Sequence, residues 1–281
     1  MKTFRKTLWL GFAAALLGHA LGQGLTYTFD GATLTGPERF AGTGYTELTV
    51  RNRADEGYDL SLMRLGEGKT VDDYRAAMAA LAAAYGGDGD VPAAHRAVRE
   101  VVTIIGGAAA EAGEAPQVGV LLEVGDYVLD GSCESCPPGQ QISAFTVADG
   151  PRAAAPPPDR TVEMHDFHFM GLPAELSAGS ELWEIANVGE ENHFFSVFRL
   201  AEGKTVADLE AFLGGPDYRG EPPPAEYGSE ALSSAYLTGP VRYYQTVSLP
   251  PGRYVVLCPV LHPGSGRPHF DLGMIQPLTV N

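Results

Sequence analysis

Positive charge is scarce in this sequence. Lysine and arginine total 19 against 35 aspartates and glutamates, a formal net charge of −16 at pH 7. Phosphate backbones are held by basic faces, so nucleic acid is not an expected partner, whereas a cationic protein or a bound metal cation suits the balance. Cysteine is also rare, at three residues, and an odd number leaves one thiol without a mate. Neither Gly-x-Ser-x-Gly nor His-Glu-x-x-His occurs. The chain also lacks an apolar run long enough to span a bilayer, and no membrane span is expected.

What apolar run there is lies at the start, in "MKTFRKTLWLGFAAALLGHALG". Lys2, Arg5 and Lys6 precede it, and Ala20-Leu21-Gly22 follows as a small-residue cleavage site, the pattern of a secretory signal peptide over residues 1–22. No cysteine follows to carry a lipid. A periplasmic or secreted protein starting near Gln23 is the expectation. In an oxidising compartment Cys133 and Cys136, in "GSCESCPPG", are placed to form a local disulfide or a redox pair, a reading favoured over zinc because there is no second pair. Cys258 is then left over as a buried, reactive or metal-bound thiol.

The chain repeats itself. "NRADEGYDLSLMRLGEGKTVDDYRAAM" aligns with "NVGEENHFFSVFRLAEGKTVADLEAFL" at one constant offset, placing Asn52 over Asn187, Arg64 over Arg199 and Lys69 over Lys204. "LLEVGDYVLDG" likewise aligns with "VSLPPGRYVVLC", and "ISAFTVAD" with "MIQPLTVN". This is a tandem duplication. The proline- and alanine-rich stretch "ADGPRAAAPPPDR" separates the copies and reads as an extended linker over residues 148–160, giving one domain over 23–147 and another over 161–281.

Within each copy, short runs such as "TELTVRN", "YDLSLMRL", "ELWEIAN" and "HFFSVFRL" are apolar or alternating and end at Gly, Asn or Asp, as strands do. After "EGKT" the period lengthens. Val71, Tyr74, Met78, Leu81 and Tyr85 share one helical face, with Thr70 placed to cap and Asp72 and Asp73 in the first turn. "TVADLEAFLGG" predicts a shorter second version, and a further helix is expected from Pro92 to Ile105, ending at Gly106-Gly107. Mainly β structure follows, as two tandem Greek-key β-sandwich domains with helical insertions.

One loop near the C-terminus, "CPVLHPGSGRPHFDLGM", gathers a cysteine, two histidines and a methionine between strand-like runs. Together with "NVGEENHFF" and the "GRYVVLC" strand, it makes the second copy resemble the cupredoxins, the blue-copper superfamily of plastocyanin and azurin. The resemblance spans roughly Thr161 to Asn281 and implies a copper ligand set of His193, Cys258, His269 and Met274. Two imidazoles and a thiolate with a weak axial thioether suit one copper ion cycling between two oxidation states. The ten residues between Cys258 and His269 exceed the family's usual few, which leaves His262 as a rival imidazole; the four between His269 and Met274 fit.

Each residue also has a plainer role open to it. His193 could bond a loop carbonyl, Cys258 could fill the core, and Met274 could close one end of the sandwich. His165 and His168, three apart on a presumed strand, are expected on opposite faces and so not to share a metal. His95 reads as a semi-buried helix residue near Val98 and Val102. In the first copy Tyr58, Gly131 and Gln141 stand where His193, Cys258 and Met274 stand in the second, so copper is expected once per chain.

Two-domain relatives in this superfamily include oxidases and nitrite reductases. No His-x-His pair is present, and on that ground catalysis is not expected. Two readings remain: an exported copper-binding or electron-transfer protein with an unknown protein redox partner, or a metal-free cupredoxin-like module that binds an envelope component.

Overall fold

The structure is a computed structural model that describes residues 23–136, 141–215 and 223–281. The expected signal peptide, and part of the loop "GGPDYRGEPPPAEYGSE", lie outside the described residues. Among those described, no helix is long and apolar enough to cross a membrane.

The first unit contains β1 (Gln23–Phe29), β2 (Leu34–Thr35), β3 (Arg39–Asn52), β4 (Tyr58–Leu65), helices α1 (Val71–Ala83) and α2 (Val91–Val101), β5 (Val102–Ala110), β6 (Gln117–Leu122), β7 (Gly125–Ser132) and β8 (Gln141–Ala153). The second contains β9 (Arg160–His165), β10 (His168–Met170), β11 (Glu175–Leu176), β12 (Ser180–Asn187), β13 (Ser196–Leu200), α3 (Val206–Leu213), β14 (Gly228–Ser233), β15 (Val241–Ser248), β16 (Gly252–Leu257) and β17 (Ile275–Val280). The fold is mainly β, with helical insertions after β4 and β13, as the sequence implies.

In the second unit, β10-β9-β12-β15 forms one layer and β11-β17-β16-β13-β14 the other. Trp183, Phe195, Tyr254, Val256 and Leu278 are buried between them. In the first unit β3 serves both layers. Its start pairs with β8 and its end with β6 and β1, and the crossing falls at Gly42 and Gly44, whose φ of 146° and 80° a side chain would resist.

The duplication extends to single hydrogen bonds. Asn52 Nδ2 donates to the carbonyls of Glu56 and Ala110, and Asn187 Nδ2 to those of Glu191 and Leu237. Thr70 with Asp73, and Thr205 with Asp208, form the same reciprocal cap at the start of α1 and α3. The Tyr127 hydroxyl donates to the Glu123 carbonyl four residues back, and Tyr254 does the same to Pro250.

Two expectations about elements are corrected. The helix from Pro92 stops at Val101, because the β-branched run Val102-Thr103-Ile104-Ile105 pairs with β4 instead, Leu65 opposite Val102 and Met63 opposite Ile104. Gly106 and Gly107 therefore lie inside β5, where a Cβ on Gly107 would strike the Leu60 carbonyl. The stretch expected as a linker also starts differently, since β8 continues through it to Ala153, pairing Ala148 with Ala41 and Ala153 with Gly44.

The two units share one sheet. β15 pairs antiparallel with β6, Tyr243 opposite Val120 and Tyr244 opposite Gly119, making a twelve-stranded sheet that crosses the unit boundary. Gly119 is required there, because a Cβ would strike the rings and side chains of Tyr45 and Tyr244. Behind the seam the buried Tyr243 hydroxyl donates 3.0 Å to the Gly107 carbonyl, and the Ile104 amide donates 3.1 Å to Thr238 Oγ1.

Candidate metal centre

Four backbone arrangements bring the expected ligands to one rim of the second unit. His193 exchanges both backbone hydrogen bonds with Leu237, which fixes it just ahead of β13. Cys258 follows β16, and its amide donates to the Met274 carbonyl at the mouth of β17. A short 3-10 turn, His269–Leu272, then returns the chain: the His269 amide donates to Val260, Phe270 to Cys258, and Met274 to His269. The long loop between Cys258 and His269 closes on itself as a small hairpin, with Leu261 bridging Pro268 and His262 donating its amide to the Arg267 carbonyl. Loop length therefore does not separate the ligands.

His193, Cys258, His269 and Met274 all have zero exposure. Cys258 Sγ lies 3.9 Å from His193 Nδ1 and 3.5 Å from His269 Nδ1, and the two Nδ1 atoms are 3.2 Å apart. Among the described residues this trio is the group of three such side chains whose donor atoms already lie within 4.8 Å of one another. His262 is not in it. Its Nδ1 is tied to Ser265 Oγ at 2.9 Å and its ring centre is 6.4 Å from that of His269.

The surroundings suit a soft cation and not a set of free charges. Burial holds His269 down at about 4 and keeps His193 below its ordinary value, so both imidazoles are neutral donors. Burial pushes the Cys258 thiol up to about 11, although the Phe194 amide donates to its sulfur at 3.3 Å. A bound cation would reverse that shift, since the thiolate is the form that coordinates. His269 Nε2 is buried with no hydrogen-bond partner, a cost in free energy that a metal bond at Nδ1 would offset. The residues present fit a copper ion: two neutral imidazoles, one thiol and a nearby thioether form a donor set of the blue-copper kind.

Sequence reasoning missed the groups that orient these ligands. Asp166 Oδ1 lies 3.3 Å from His193 Nε2 and also accepts the amides of Glu190 and Glu191, which leaves His193 Nδ1 facing the sulfur. Gly189 makes that contact possible, since a Cβ there would collide with the Asp166 carboxylate and crowd His193. Phe167, at φ 67°, sets its ring edge-on to both His262 and His269. The cluster of glycine and acidic residues in "NVGEENH" was the only trace of this arrangement.

The first unit has closed the equivalent space. A Cβ at Gly131 would collide with the Tyr58 hydroxyl, so the phenol ring occupies the volume that a cysteine would need. That ring stacks on Phe29 at 3.9 Å, and Gln141 turns aside to donate to the Ala32 carbonyl. The other cysteines pair with each other as a Cys133–Cys136 disulfide, while Cys258 is free and buried. His95 bonds the Tyr85 hydroxyl at 2.8 Å.

The expectation that His165 and His168 face apart is corrected. They are not on one strand: a two-residue turn separates them, so they are cross-strand partners of β9 and β10, stacked 4.8 Å between ring centres.

No family model matches the chain, and no curated protein does. Among solved structures it is similar to the dithionite-reduced auracyanin of Roseiflexus castenholzii, at 22% identity over 43% of this chain and 94% of that one, with a TM-score of 0.29. It is also similar to a multicopper oxidase (14% identity, 92% of this chain, 88% of that one, TM-score 0.25) and to the copper-containing nitrite reductase of Thermus scotoductus SA-01 (12%, 92%, 61%, 0.25). The expectation that the chain is not an enzyme is withdrawn: the structures similar to it over 92% of its length include multicopper oxidases and a nitrite reductase. That exclusion rested on missing His-x-His pairs, which removes only one way of building a second centre. Repeated sandwich layers, shared hydrogen bonds and a His–Cys–His group with methionine at one rim make this chain a tandem duplication of the cupredoxin fold.

Proposed function

We propose that the second unit binds one copper ion, which His193, Cys258 and His269 would hold with Met274 nearby, and that the chain serves electron transfer in the periplasm or outside the cell. The observation that carries this reading is the convergence of three fully buried donor atoms 3.2–3.9 Å apart. When bound, copper supplies a one-electron couple. The protein's part is to hold the donors where both oxidation states are tolerated, with Asp166 fixing His193, the Phe194 amide donating to the sulfur, and Phe167 with the loop hairpin keeping water from His269. The electron partner is a protein whose identity the site does not specify.

The test is a copper titration of the purified chain. An intense visible absorption that saturates at one ion per chain, and is absent in Cys258→Ser, is the expected outcome, because the thiolate supplies the charge-transfer partner. Copper binding by Cys258→Ser with unchanged spectrum and stoichiometry would overturn the reading.

A further inference from the structure

The β9–β10 hairpin sets four donor side chains on one face. Register pairs His165 with His168 and Glu163 with Met170, and cross-strand partners project from the same side of the sheet. The histidine rings are stacked at 4.8 Å with their planes 13° apart, and Glu163 Oε2 sits 3.0 Å from His165 Nε2. Met170 is 50% exposed, so its thioether is not spent on filling a core. β10 is the outermost strand of its sheet and only three residues long, which leaves the side chains room to turn toward a shared ion.

We propose that Glu163, His165, His168 and Met170 form a second metal site, separate from the buried centre, for a copper or zinc ion. The donors grade from carboxylate through imidazole to thioether, a range that suits borderline first-row divalent ions and disfavours calcium or magnesium. The site is exposed and built by a single hairpin, so it fills and empties without opening the core. Its turn residue Asp166 bonds His193, which places the second ion beside the buried centre.

Zinc titration by calorimetry tests this in a Cys258→Ala background, which removes one donor of the buried trio. Compared with that variant, adding His165→Ala or His168→Ala should weaken one zinc-binding event at least about tenfold. Far-ultraviolet circular dichroism verifies that each variant is folded. In the same Cys258→Ala background, substoichiometric Cu2+ should also broaden the His165 and His168 ring resonances and the Met170 methyl resonance more than the His193 and His269 ring resonances. Zinc affinity and stoichiometry unchanged by the hairpin substitutions, or copper broadening that spares these three residues, would overturn the proposal.

Discussion

At the scale of single residues, the buried centre is an arrangement of neutral donors, and its acid behaviour follows. An unfolded histidine titrates near 6.5, whereas burial holds His269 at about 4 in the folded chain. As pH falls between these values the unfolded chain takes up a proton that the native state refuses. The contribution to stability is therefore complete above about 6.5 and is lost on descent toward 4. Denaturant midpoints of the metal-free protein should fall between pH 7.5 and 4.5, with a shallower fall in His269→Asn; equal slopes would count against this. His262→Ala should leave the copper absorption intact, because His262 is bound to Ser265 and stands outside the trio, whereas His269→Ala should abolish it. Met274→Gln should shift the absorption without removing it, because the thiolate that absorbs is left in place. The meeting of His193, Cys258, His269 and Met274 at one rim was legible in the sequence from their order along the second copy. Asp166 was not, since it reaches His193 across 27 positions of chain and nothing local announces the contact.

At the scale of elements, the sequence conveyed the caps well and the ends of segments poorly. Thr205 and Asp208 satisfy each other's backbone partners at the start of α3, an arrangement spelled out in "KTVAD" and identical in α1. Thr205→Ala should cost about 1 kcal/mol in denaturation measurements and leave the metal spectrum unchanged, because α3 packs on Phe198, Val255 and Leu257, in a cluster separate from the one that holds Cys258 and Met274. The overlong second helix has a different origin. Pro92 opens α2 as expected, but its last turn competes with a β-branched run that finds pairing partners in β4, and tertiary pairing outweighs local helical period. The same limit applies to the stacked histidines, where "HDFH" reads as a strand until its two central residues turn.

At the scale of the whole molecule, the join between β15 and β6 makes the units one body. Tyr243→Phe, which removes the buried bond to the Gly107 carbonyl, should cost about 1 kcal/mol and lower the midpoint of a single shared unfolding transition. Two separated transitions, only one of them shifted, would contradict the coupling. The second unit expressed from Arg160 onward should be less stable than the same residues in the full chain, as judged by hydrogen exchange along β15. That seam also bears on why a copy without ligands remains. Cut apart, β6 and β15 would each present a bare row of amides and carbonyls, and such open strand borders recruit other chains into aggregates. In the first unit Tyr58 fills the space beside Gly131, yet removing that unit would lay the β15 border bare.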